Sequence, residues 1–158
     1  MWKMENKNSK GIMNILVMVV FFVVVFLIGK YLEIKVGGGA KVPVLDYEYL
    51  KDSFYLVAII AVLTVVREVV KMVASSNPKL TMIVTDVVNI ISAVLYVIWL
   101  NDDKIKSQAF MNEMNQSLAD HQFSLSVITH AGTIYACFIV LGLVVDMISV
   151  TSKALKAE

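Results

Sequence analysis

The sequence predicts an all-α integral membrane bundle of four transmembrane helices, with a short amphipathic helix in the third loop. Three observations predict it. Of 158 residues, 58% are hydrophobic and 17% charged, against about 45–50% apolar and about 25% charged in an ordinary soluble domain. The apolar residues gather into four runs, each near the roughly 20 helical residues that cross a hydrocarbon core about 30 Å thick. Those runs are also far longer than the alternating strands of about ten residues in a membrane barrel, which excludes an all-β fold.

The first span covers 12–32 and contains an unbroken apolar run from Ile15 to Ile28. Lys3, Lys7 and Lys10 precede it as in the charged region of a secretory signal, but Gly29-Lys30-Tyr31-Leu32-Glu33 follows without a small-x-small cleavage pattern. A retained anchor is therefore expected. The loop from Lys30 to Asp52 carries Gly37, Gly38 and Gly39, then Val42-Pro43. No Gly-Lys-Ser/Thr follows the glycines, so a flexible linker is expected there and not a phosphate loop.

The second span covers 54–73 and the third 80–100. Ser75, Ser76, Asn77 and Pro78 between them are turn formers and helix breakers, so these two spans form an antiparallel hairpin. Trp99 at the outer end of the third span fits an interfacial anchor. In the third loop, Asn101, Asp102 and Asp103 are able to cap a helix. Phe110, Met111, Met114 and Leu118 then recur at helical spacing, an amphipathic stripe read as packed on the bundle in preference to lying along the membrane surface. The fourth span covers 127–150 and is apolar or small apart from His130 and Asp146.

With the N-terminus inside, eight cations fall on the cytoplasmic side (Lys3, Lys7, Lys10, Arg67, Lys71, Lys79, Lys153, Lys156) out of 14 Lys and Arg. The positive-inside rule then puts both termini of a single 1–158 domain in the cytoplasm, as a multi-pass protein of the cell membrane. The formal net charge of +1 supplies no field to collect nucleic acid. Cys137 is the only cysteine, which excludes an intrachain disulfide and a Cys-rich zinc site; it reads as a small apolar filler within its span. His121 and His130 lack acidic or cysteine neighbours at ligand spacing, so no metal is expected. No nucleophile-base pair and no nucleotide motif is visible, and the chain is expected to be no enzyme and to hold no cofactor.

An ionisable side chain inside a span costs about 2.5–3.5 kcal/mol at the bilayer centre and needs a partner. Arg67 and Asp86 lie symmetrically about the Ser76–Asn77 bond, which sets them level across the hairpin; Asp146 reaches a similar depth. Arg67, Glu68, Lys71, Asp86, Asn89 and Asp146 are therefore expected to form one intramembrane polar cluster, with Arg67 bonded to Asp86 directly or through Asp146. An ion-pair network that holds helices together is the favoured reading; a proton or cation relay is the rival. Asp86, Asn89, Ala93 and Tyr96 share one helix face, and Tyr135, Gly142, Asp146 and Ser149 another. Both stripes are expected to be helix contacts.

Val42-Pro43-Val44-Leu45-Asp46, Leu50-Lys51, Asn101-Asp102, Phe110 and the closing Ser152-Lys153-Ala154-Leu155-Lys156 resemble the membrane region of HAAS-domain proteins of Gram-positive bacteria. That pattern departs at Ser75-Ser76-Asn77-Pro78, where the family has a Gly-Arg-Trp-like turn. Such genes commonly neighbour a PadR-type regulator, so the resemblance implies membrane-linked signalling and no catalysis. The expected function is that of a small regulatory, accessory or immunity-like component. Its partners are the lipid bilayer and another membrane protein or a second copy. The alternative is a small proton- or cation-coupled transporter, although four-helix multidrug exporters carry a glutamate in the first span where this chain has only Asn14.

Overall fold

A computed structural model of the chain describes residues 2–35, 40–74 and 76–156. Among them the order is α1 (Trp2–Tyr31), β1 (Glu33–Lys35), β2 (Lys41–Pro43), α2 (Tyr47–Asp52), α3 (Phe54–Val73), α4 (Pro78–Leu100), a 3-10 turn (Asp103–Ile105), α5 (Gln108–Ser117), α6 (Gln122–Thr129) and α7 (Ala131–Leu155). The fold is mostly helical. Residues Gly11–Tyr31 of α1, all of α4 and all of α7 are long and apolar enough to cross a membrane. The helix α3 is 20 residues long and differs from them in carrying Arg67, Glu68 and Lys71.

Side-chain caps mark the starts of α2, α4, α5 and the 3-10 turn. Asn77 caps α4, its side chain accepting from Leu80 N at 3.1 Å, and Pro78 fills the first helical position, where a missing N–H costs nothing. Asp46 caps α2 through Tyr49 N at 3.0 Å. Ser107 caps α5, and Asp102 caps the 3-10 turn through Lys104 N at 3.0 Å.

The long helices share two layers of contact. The helices α3 and α4 form the central antiparallel hairpin, α1 packs on α3, and α7 packs along α4. Phe22 of α1 also reaches α4, its ring 6.4 Å from Tyr96 and 6.0 Å from Trp99. The core lies away from the α3–α4 turn, toward β1 and β2, and is built from Phe22, Leu50, Val57, Ile60, Tyr96 and Trp99.

Several expectations change. The loop read as a linker contains an antiparallel hairpin, with Ile34 opposite Val42; Gly37, Gly38 and Gly39 lie outside the described residues. Its strands are three residues each, too short for the alternation of Ile34 and Val42 against outward Glu33, Lys35 and Lys41 to register as a period. Beyond it the first and third connections zip together, with Asp46 N bonded to Ile105 O at 3.0 Å and Ser107 N to Val44 O at 3.2 Å.

Trp99 is not an interfacial anchor: it is fully buried, and its Nε1 donates to Ser53 Oγ at 3.0 Å. The last apolar run is divided, because α6 ends at Thr129 and α7 starts at Ala131 with His130 as the hinge residue. Docking explains the division. A Cβ on Gly132 would stand 1.9 Å from Leu100 O, so the start of α7 rides directly on the end of α4, an approach open only to glycine. The Tyr135, Gly142, Ser149 stripe is exposed; α7 instead buries Ala136, Val150 and Ala154. Cys137 is likewise exposed and fills no gap. In the third loop, Phe110 is buried, while Met111, Met114 and Leu118 are half-buried, and α5 rests on β2.

The two glycines of α7 make a controlled comparison. Gly132→Ala should destabilise by about 1–3 kcal/mol through overpacking on Leu100 O. Gly142→Ala, with nothing within 4 Å of its Cβ position, should be neutral or stabilise by up to about 1 kcal/mol through helix propensity. Thermal midpoints of the two variants in detergent micelles check the contrast, and equal effects would contradict this docking.

Candidate functional site

A polar cluster joins all four long helices, and α3 supplies its charged heart. Arg67, Glu68 and Lys71 fall within five residues, so one and a half helical turns present two cations and an anion to the interior. Glu68 is the most enclosed, with its side chain 2% exposed. Its Oε1 accepts from Arg67 Nε at 2.9 Å and lies 3.6 Å from Lys71 Nζ. Its Oε2 accepts from Asn14 Nδ2 of α1 at 3.3 Å.

The network then runs to α4 and α7. Arg67 donates to Asn89 Oδ1 at 2.7 Å and lies 3.7 Å from Asp146 Oδ2. Lys71 Nζ bonds both oxygens of Asp146, at 2.8 and 2.7 Å. The Asn89 amide uses its donor side on α7, reaching Leu143 O at 3.2 Å and Asp146 Oδ2 at 3.1 Å. Two cations therefore meet two carboxylates, with two amides filling the remaining lone pairs and protons, as a low-dielectric surrounding demands.

Five of the six expected residues come together; Asp86 does not. Among the described residues it makes no bond to the cluster, and its buried Oδ1 has no hydrogen-bond partner. Side-chain direction is the reason. Every Cα–Cβ bond leans toward its helix N-terminus. On α3 that direction is away from the turn, and on α4 it is toward the turn, so Arg67 and Asp86 diverge although their Cα atoms start level. Arg67 instead meets Asn89, one turn further along α4.

The residue overlooked in the sequence is Asn14. Its signal is in the sequence: it is a polar side chain within the first span, directly before the unbroken apolar run, and Gly11 lies one turn before it. Small and polar residues at that spacing are what close helix contacts in lipid use. A Cβ on Gly11 would stand 3.2 Å from Met72 Sδ and 3.6 Å from Glu68 Oε2, so the bare glycine lets α1 approach the buried acid. Thr85 and Ser92, each one turn from Asn89 on the same face of α4, are also buried, and their hydroxyls lack partners.

The cluster offers little to a metal ion, because its carboxylates are already taken by guanidinium, ammonium and amide groups. Among the described residues no three His, Cys, Asp or Glu side chains are grouped to hold one. At the opposite end of the bundle, a cavity of about 490 Å³ opens between α2, the start of α3 and the third loop. There burial and the neighbouring Asp102 carboxylate push the Tyr49 hydroxyl well above its ordinary range. Asp102 itself is held low, first by the Lys104 backbone N–H and also by Tyr49. These groups act as a polar joint, with Asp102 negative and Tyr49 neutral near pH 7.

No family model, curated protein or solved structure matches this chain.

Glu68 and Asp86 should respond oppositely to loss of charge. Glu68→Leu strands Arg67 beside a buried void of charge and should destabilise by about 3–5 kcal/mol. Asp86→Asn removes a carboxylate that bonds nothing in the cluster, so its unfolding midpoint should match the parent protein or exceed it. Heating in micelles followed by size-exclusion chromatography measures both. A loss at Asp86 as large as that at Glu68 would contradict the network described.

Proposed function

We propose that this protein is a four-span component of the plasma membrane in which α3 is the fourth crossing. Both termini lie in the cytoplasm, and the protein acts without catalysis as a regulatory or accessory element through helix contacts. The observation that carries this reading is the charge balance of the cluster. Arg67 and Lys71 are neutralised by Glu68 and Asp146, which removes the main objection to placing α3, with its three ionisable groups, in hydrocarbon. The same pairing consumes the groups that a relay would have to titrate.

The outward faces support a role in contacts. On α7, Phe138 is 70% exposed and Val145 65%, while α4 covers only the opposite side. Such a face suits lipid, another membrane protein or a second copy. The signalling role implied by the resemblance to HAAS-domain membrane regions belongs to the same reading.

A proton- or cation-coupled transporter is the second reading, and one observation favours it. Thr85 Oγ1, Asp86 Oδ1 and Ser92 Oγ are buried without partners, and unpaired polar atoms on one helix are where internal water would sit.

Two measurements test these proposals. In a Cys137→Ser background, single cysteines at Ser9 and Ser152 should both resist an impermeant thiol reagent added to intact cells and react once the membrane is opened; labelling of one alone from outside overturns the four-span topology, and labelling of both overturns the cytoplasmic placement of the termini. Proteoliposomes loaded with a pH-sensitive dye should leak protons and monovalent cations no faster than protein-free liposomes. A flux at least about tenfold above that background and abolished by Asp86→Asn would replace the contact role with transport.

A further inference from the structure

A groove of about 340 Å³ lies between α1 and α3 on the side of the bundle toward the β-hairpin. Phe22 and Phe26 line it from α1, and Phe54 and Val57 from α3. The rings of Phe26 and Phe54 pack edge to face with centroids 5.8 Å apart, which fixes its wall, and Val23 flanks its open side, 52% exposed. Lys30 and Tyr47 stand at the mouth. Lys30 lies eight residues beyond Phe22, about 12 Å along the helix at 1.5 Å per residue. The apolar lining therefore ends where a single cation and a phenol hydroxyl begin.

The geometry points to a binding site for one anionic phospholipid, with an acyl chain in the groove and the headgroup phosphate on Lys30 and Tyr47. Charge complementarity selects this occupant. Among the described residues Lys30 pairs with no carboxylate; its ammonium lies 5.0 Å from the Tyr31 ring centroid, exposed at the end of α1. Lys51 Nζ, 5.5 Å from the Tyr47 ring, is already paired with Glu48 at 2.6 Å, so Lys30 is the cation that the headgroup meets. Cations and aromatic rings at the end of a span sit at headgroup depth, where an ammonium makes a charge-assisted hydrogen bond to a phosphate. A zwitterionic headgroup brings its own ammonium and gains less from Lys30. A partner helix would fit the apolar wall equally well but would leave the cation without a counter-charge.

The site rests on the reading of α1 and α3 as spans, yet its test does not use topology. Purified protein in neutral detergent is titrated with phosphatidylglycerol, phosphatidylcholine or soluble glycerol 3-phosphate while the unfolding midpoint is followed. Phosphatidylglycerol at about ten times its Kd should raise the midpoint by roughly 3–6 °C for a chain of this size, and phosphatidylcholine by less than half as much. Lys30→Gln should make the two lipids equal, and Lys30→Arg should keep the preference, which controls for misfolding. Val23→Trp should abolish both shifts, whereas Lys35→Gln, on the hairpin, should change neither. Equal shifts by the two lipids in the parent protein, or a preference retained in Lys30→Gln, overturn the site. A shift by glycerol 3-phosphate equal to that by the lipid would make it a free-phosphate site. A change of oligomer size in Val23→Trp would give the groove to a second copy and likewise overturn the lipid. Failure of the four-span reading would appear separately, in the cysteine labelling.

Discussion

Arg67 and Lys71 have to be neutralised within apolar surroundings, and the arrangement of the other three long helices follows from how that is done. Neither cation is satisfied by its own helix alone: Glu68 supplies one carboxylate on α3, and the second, Asp146, comes from α7. Asn89 of α4 spans the two halves, accepting from Arg67 and donating to Asp146. Asn14 closes the far side of Glu68 from α1. A rotation of α7 by a third of a turn would take Asp146 away from Lys71, and the same rotation of α1 or α4 would remove the amide that Asn14 or Asn89 lends to a carboxylate; an unpaired charge in this environment costs more than the pair contributes. The network thus specifies register and rotation, which non-directional apolar contacts alone fix poorly.

The opposite end of the bundle is held by different means. Leu50 of α2 is completely buried and lies against Gly29, where a Cβ would stand 2.3 Å from Leu50 Cδ1. Trp99 lies in the same cluster and is anchored through Ser53 Oγ. Backbone bonds between the first and third connections finish this cap, and Lys106 Nζ adds a bond to Thr129 O at the hinge before α7. One end is therefore an ionic lock and the other an aromatic plug under a hydrogen-bonded lid, with apolar helix surface between them. That division separates the groups that set helix rotation from those that set helix spacing.

Much of this was legible in the residues. The charges that meet in the interior stand out because Arg67, Glu68, Lys71 and Asp146 interrupt apolar runs. Pro78 and its neighbours mark a short turn between two long apolar runs, which fixes α3 and α4 as a hairpin. Asp86 departs from its expected place because level positions on a hairpin do not make side chains meet: the lean of Cα–Cβ bonds acts in opposite senses on antiparallel helices. Trp99 was misplaced because its position in the chain suits an interface, while its partner Ser53 is remote in sequence.

By itself, the sequence determined the helical class, the long apolar segments and the need to pair a small set of charges, because these follow from hydropathy and from the cost of a bare charge in an apolar medium. Only the tertiary structure decided which carboxylate each cation takes, that Asn14 completes the network, that His130 divides the last run, and which face of α7 is buried. Those outcomes depend on rotation about helix axes and on close approaches such as Gly132 to Leu100 O, and both are set by contacts between residues far apart in the chain, of which local composition carries no record.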